Sequence, residues 1–290
     1  MDPWAFFVGD VLSYIAVIVF VVGVLVRVGK WLSVPVPLKI PLTPGPTTYP
    51  GVVARLAKEV FLFRSLFKGE KKLWVGAWTF HIFLLTTLII HIINLFYHNL
   101  WNVIGYEWYE FAGYTGVILF GALVFLLARR VAAQHMRYLS KLPDYFILIL
   151  LMAIVFMGNY IRSFSGVDVK QVSAWLYSLI ALHPIPPPDN PYFLTHVLLA
   201  EILIMYIPFS KIMHFIGIFV SPTRNQRNDG RMRRHRNPWN FPVKIMSWDE
   251  YWAKFGDQLK EIEEENERRA KEKQKSVEKE GKSEENAGEG

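Results

Sequence analysis

The stretch WVGAWTFHIFLLTTLIIHIINLF, residues 74–96, decides the fold. It holds no Asp, Glu, Lys or Arg, and a helix needs about 20 apolar residues to cross the hydrocarbon core of a bilayer. It therefore reads as a transmembrane helix. Yet it carries His81 and His91. An ionisable side chain at the centre of a span costs roughly a few kcal/mol, so it usually has a partner or a function.

A second stretch has the same character. YFLTHVLLAEILIMYIPFSKIMHFIGIF, residues 192–219, carries His196 and His214, with Glu201, Pro208 and Lys211 between them. Pro208 removes a backbone donor and predicts a kink. Three further apolar runs reach span length: Trp4–Val28 with Asp10 near its start, Phe111–Ala128, and Tyr145–Ile161. The expected fold is an all-α membrane protein, a bundle of five transmembrane helices. The first run has no preceding Lys or Arg and no small-residue cleavage site after it, which argues against a signal peptide.

Of the 290 residues, 52% are hydrophobic, and the charges are gathered between the apolar runs or in the last part of the chain. The net charge of +7 fits membrane topology and does not call for nucleic acid. There are no cysteines. That excludes disulfides, thiolate-bound iron–sulfur clusters, Cys-ligated zinc and covalently attached haem on this chain.

The basic residues fix an orientation. Nine lie in the first long loop, from Arg27 to Lys72; Arg129, Arg130, Arg137 and Lys141 lie between the third and fourth spans; Arg224, Arg227, Arg231, Arg233, Arg234 and Arg236 follow the fifth. The remaining loops hold only Arg162 and Lys170 against four acids. The positive-inside rule puts the N-terminus outside and the C-terminus in the cytoplasm, as five crossings require. The expected organisation is a membrane domain over 1–222, a basic and aromatic docking segment over 223–256, and a charged part over 257–290. Within the first cytoplasmic loop, Val52–Phe67 reads as an amphipathic surface helix. In an outer loop, Val172–Leu182 is too short to span and reads as an interfacial helix. Gln258–Lys275 is expected to be a solvated helix and Ser276–Gly290 to be disordered.

His81 and His91 are ten residues apart, about 15 Å of rise, and about 80° apart around the helix. His196 and His214 are eighteen apart, on one face, with about 27 Å of rise if the helix is unbroken. The two spans run antiparallel. The pairings that cross no membrane depth are His81 with His214 and His91 with His196. Imidazole is a common iron ligand, and each pair is expected to hold the iron of one haem b, giving an inner and an outer haem. Zinc fits less well, because the pairs are far apart and lack Cys or clustered carboxylates. The alternative is four buried histidines hydrogen-bonded to backbone or hydroxyl groups.

The ten and eighteen spacings in a five-span chain resemble the NarI family, the dihaem cytochrome b gamma subunits of respiratory nitrate reductase. The runs Ile207-Pro208-Phe209-Ser210-Lys211-Ile212-Met213-His214-Phe215, Ser221-Pro222-Thr223-Arg224-Asn225-Gln226 and His235-Arg236-Asn237-Pro238-Trp239-Asn240 resemble its DsrM/HmeC branch, the cytochrome b subunits of Hdr-like menaquinol oxidoreductases. The likeness covers about residues 1–256. It implies His81, His91, His196 and His214 as axial ligands of two haem b groups and menaquinol as the mobile substrate. It also implies a cytoplasmic Hdr-like iron–sulfur subunit, further membrane and cytochrome c subunits, and a link to sulfite or sulfate respiration. Alternatives within the class are a nitrate reductase gamma subunit and the membrane subunit of heterodisulfide reductase. The alternative from another class is a haem-free membrane anchor or transporter.

Four other features carry weaker expectations. His98, seven residues beyond His91, lies on nearly the same face and is a weak candidate to accept a proton from quinol, against a simple interfacial role. Arg129, Arg130 and Arg162 end helices and read either as haem-propionate partners or as topology charges. Glu201 reads as a structural hydrogen-bonding acid or a proton-handling group. The basic segment Arg224–Arg236 reads as a docking platform for the electron acceptor, or as a lipid-binding cluster.

Overall fold

The computed structural model describes residues 2–35, 41–96, 106–229 and 245–287. Among them there is helix and turn but no strand. Five helices are long and apolar enough to cross a membrane: Pro3–Ser33, Lys71–Ile93, Gly113–Ala132, Leu142–Ser165 and Pro191–Phe209. The first four overlap the apolar runs and extend past some of their ends. Hydropathy marks the hydrocarbon core, whereas capping sets where a helix stops. The fourth starts on Pro143 at its second position, with Lys141 N–H donating to Asp144 Oδ2 at 3.0 Å. The fifth starts at Pro191, after Asn190 accepts the amides of Tyr192 and Phe193.

The fifth helix departs from expectation. The α-helix ends at Tyr206 rather than running to 219. Two short 3-10 turns follow, Ile207–Phe209 and Lys211–Met213, separated by Ser210 in extended conformation; a separate helix then runs over His214–Val220. Pro208 has no N–H to offer Ile204. The gap is widened because Ser210 Oγ accepts the Ile212 amide and donates to Ile207 O, replacing helical bonds with local ones.

The second span packs on the third, the third on the fourth, the fourth on the fifth and the fifth on the first. In lipid, such contacts rest on close packing and small residues rather than on a hydrophobic force. Gly76 abuts the Phe125 ring, Gly116 abuts Asn159 and Gly23 abuts Pro208. Leu119, Leu123, Leu148 and Leu151 form the buried centre, with Phe80, Phe83 and Leu203 against them. At one end, the loop helix Val169–Ile180 lies on the second span. Its Trp175 packs with Ala5, Phe193 and Leu194.

The expected surface helix is two pieces, Tyr49–Leu62 and Arg64–Gly69. Phe63 between them adopts the left-handed conformation, φ 48° and ψ 46°, which costs a β-carbon-bearing residue about 1–2 kcal/mol. The second span's tryptophans hold this break. Trp74 and Trp78 Nε1–H donate to Leu62 O and Phe61 O at 2.8 and 3.0 Å.

The described residues from 245 onward belong to a second unit. Its helix runs over Trp248–Ala287, longer than the expected Gln258–Lys275 and into the stretch expected to be disordered. The run is rich in helix-forming Glu, Lys, Ala and Arg. Glu265 pairs with Arg268 and Arg269, and Glu267 with Lys271, at helical spacing.

Candidate functional site

The structure brings the four histidine rings together as two pairs. His81 and His214 have ring centroids 5.9 Å apart with nearly perpendicular planes. His91 and His196 have centroids 6.5 Å apart with planes 23° apart. Both pairs meet despite the unequal spacings, and the rise of about 27 Å expected of an unbroken fifth helix does not apply, because the α-helix ends at Tyr206 and a new one starts at His214.

All four rings share one hydrogen-bond pattern. Nδ1 of His81 lies 2.6 Å from Ala77 O, Nδ1 of His91 2.7 Å from Thr87 O, Nδ1 of His196 3.1 Å from Ile154 O, and Nδ1 of His214 3.0 Å from Lys211 O. A carbonyl oxygen can only accept, so Nδ1 carries the proton in each ring. Nε2 then keeps its lone pair, the tautomer a metal-binding histidine needs. Two imidazoles bound to opposite sides of one metal, at about 2 Å per bond, have centroids about 6 Å apart. The separations of 5.9 and 6.5 Å bracket that value. The donor set therefore suits a pair of bis-imidazole iron sites. Among the described residues no cluster of three or more His, Asp or Glu forms a conventional metal cage.

The surroundings orient the rings. Phe63 and Phe80 meet His81 edge-on, with centroids at 4.9 and 4.8 Å. Gly158 lets His196 reach the fourth span: a Cβ there would lie 3.2 Å from the ring's Cε1. Sequence reasoning did not single out Phe63 or Gly158. A glycine within an apolar span is a packing signal, but nothing marks Phe63 as left-handed.

The other candidates find protein partners. Arg129 grips Glu70 through two nitrogens, at 2.6–3.1 Å. Arg130 donates to Ser140 Oγ at 2.8 Å and lies 3.8 Å from Asp144, which Lys211 also meets at 2.6 Å. Arg162 Nε lies against Gly113. Glu201 is buried, with Oε1 2.6 Å from Ser13 Oγ, which is 2.8 Å from Gly9 O. The single Ser13 hydroxyl proton has both the Gly9 carbonyl and the Glu201 carboxyl within reach, and this contact ties Glu201 to the first span. His98, Arg231, Arg233, Arg234, His235 and Arg236 lie outside the described residues.

Beside the His81/His214 pair, two segments are knotted. Arg55 donates to Leu42 O, Thr223 O and Arg224 O at 3.1, 3.3 and 2.8 Å, and Leu42 N–H donates to Thr223 O at 2.7 Å. Arg227 sits over the Tyr49 ring at 4.3 Å. The run Ser221–Gln226 thus contributes backbone acceptors to a tight junction.

A sequence profile of the nitrate reductase gamma subunit matches residues 48–226, a range that includes all four histidines. The chain is similar to the Hdr-like menaquinol oxidoreductase cytochrome b-like subunit of Archaeoglobus fulgidus, with 34% identity over 88% of this chain and 95% of that one. It is similar to the protein of the same description from Archaeoglobus profundus, with 31% identity over 90% of this chain and 97% of that one.

Proposed function

This chain belongs to the nitrate reductase gamma subunit family, and from that premise we propose that it is the dihaem cytochrome b subunit of an Hdr-like menaquinol oxidoreductase. The observation that carries this reading is the pair of imidazole pairs at metal-bridging separation, each ring with Nδ1 committed to a carbonyl. His81 and His214 hold one haem b; His91 and His196 hold the other. A b haem supplies reversible one-electron transfer, and two in series link menaquinol on one side of the membrane to an iron–sulfur acceptor on the other.

The chain's own residues do the rest. The carbonyls of Ala77, Thr87, Ile154 and Lys211 orient the rings and strengthen them as donors. Phe63 and Phe80 pack edge-on against the His81 ring. The basic loops support an N-terminus outside and a C-terminus in the cytoplasm, so His81/His214 is the inner site and His91/His196 the outer. Menaquinol is oxidised beside the outer site and the protons leave outward; His98, seven residues after His91 in the sequence, is the candidate acceptor for one of them. The junction of residues 41–62 with 221–229 forms the floor on which a cytoplasmic Hdr-like subunit docks. Matches over nearly the whole length of two Hdr-like relatives favour this partner over a nitrate reductase. The resemblance of its C-terminal runs to the DsrM/HmeC branch supports a link to sulfite or sulfate respiration.

The test is reduction by a menaquinol analogue in purified complex. Both haems should be reduced in the wild type, and neither in His91→Ala or His196→Ala, although dithionite still reduces the haem that remains. Quinol reduction at wild-type rate in either variant would overturn the outer site.

A further inference from the structure

Arg27 counts, in the sequence, among the charges that set topology. In the structure it does something more specific. Its Nη1 donates to Pro208 O and, at 3.0 Å, to Ser210 O. These two carbonyls belong to the break in the fifth span, where the helical donors are missing. Backbone acceptors at membrane depth must be satisfied within the protein, and here a side chain of the first span supplies the hydrogens.

The contact is part of a continuous face. Gly23, Arg27 and Trp31 are spaced four apart, so they line one side of the first helix. A Cβ on Gly23 would lie 2.7 Å from Pro208 Cβ, and one on Gly217 would lie 3.6 Å from Trp31 Cη2. Arg27 itself lies over the Trp31 ring, 5.5 Å from its centroid. This face holds the chain before His214, at residues 208–210, and after it, at residue 217. The link to the ring is short. Ser210 Oγ accepts the Ile212 amide and so fixes the turn Lys211–Met213. Lys211 O in that turn accepts from His214 Nδ1. The arginine thus anchors the turn whose carbonyl orients the ring.

We propose that Arg27 is a positioning residue for His214: by donating to Pro208 O and Ser210 O it holds the break in the fifth span that brings His214 to His81. The inference rests on the haem reading above. Lysine keeps the charge and three donors, whereas methionine keeps similar length and offers none.

The experiment is ferric EPR with potentiometric titration on purified wild type, Arg27→Met and Arg27→Lys. In Arg27→Met the His81/His214 haem should lose its low-spin signal and a high-spin signal should appear, as His214 withdraws. The other haem should keep its signal and potential. Arg27→Lys should restore most of the low-spin signal. Two unchanged low-spin signals in Arg27→Met, or equal loss of both haems, would overturn the role. If Arg27→Met does not accumulate, Arg27→Gln is read instead, with the same selective change expected and the same results overturning it. A wild type without b-type haem would overturn the haem reading and this inference together; a two-haem wild type with unaffected variants would overturn only the role of Arg27.

Discussion

Gly158→Ala puts a single methyl group against one proposed haem ligand. Its Cβ would lie 3.2 Å from His196 Cε1 and 3.6 Å from Nδ1. Carbon atoms rest at about 3.5–4.0 Å, so the ring must retreat by a few tenths of an ångström. Its bond to Ile154 O is already 3.1 Å, near the long end of the usual range of about 2.7–3.2 Å. Retreat breaks it, at about 1 kcal/mol. Alanine in a helix interior gains up to about 1 kcal/mol over glycine. The two nearly cancel, so thermal stability should hardly change. The effect should appear at the ring. Loss of the Nδ1–H···O bond makes the imidazole a weaker donor and so favours ferrous iron. If all of that energy enters the redox difference, the potential rises by at most about 40 mV, from about 59 mV per tenfold for one electron. Potentiometric titration of the haem absorbance should show one haem raised and the other fixed. No shift in either, or a shift only in the His81/His214 haem, would refute the reasoning.

Leu119→Ala, at a fully buried position, should destabilise the detergent-solubilised protein by about 2–5 kcal/mol; Val117→Ala, at a residue 63% exposed, should be near neutral in the same thermal melt. Phe63→Gly removes a left-handed strain of about 1–2 kcal/mol and an aromatic contact of about 0.5–1.5 kcal/mol; stability should change little, while the optical spectrum of the His81/His214 haem alone shifts. Glu70→Gln weakens a bridge to Arg129 whose carboxylate is 45% exposed. Its cost should stay below about 1 kcal/mol and vanish at high salt in the same melt.

The spans were legible because a membrane imposes length and apolarity directly on sequence. So were the histidine partners: antiparallel helices leave only one pairing at equal depth, and it is the pairing in which the rings meet. What escaped depends on three-dimensional neighbours. Pro208 signalled a kink, but the full break needs Ser210 to satisfy itself locally and Arg27 to supply donors from a helix far away in sequence. Phe63 takes a conformation that its own residue type disfavours, because Trp74 and Trp78 hold the carbonyls just before it. Gly158 looked like any glycine in a span until His196 was seen against it. The sequence of Ser276–Gly290 predicts disorder because it has no apolar content to bury, yet the helix that begins at Trp248 runs to Ala287. Alternating Glu, Lys and Arg at helical spacing can nevertheless form helix without a core.

The central claim is that one chain carries two bis-histidine irons, paired as His81/His214 and His91/His196. A pyridine haemochrome assay for haem count, together with reduced-minus-oxidised spectra of the intact protein, on the purified wild type and the four single alanine variants tests it most directly. Two b haems per wild-type chain and one in each variant, with His81→Ala and His214→Ala losing the same spectral component and His91→Ala and His196→Ala losing the other, is the predicted result. A wild type without haem, or two histidines of one helix sharing a component, would contradict it.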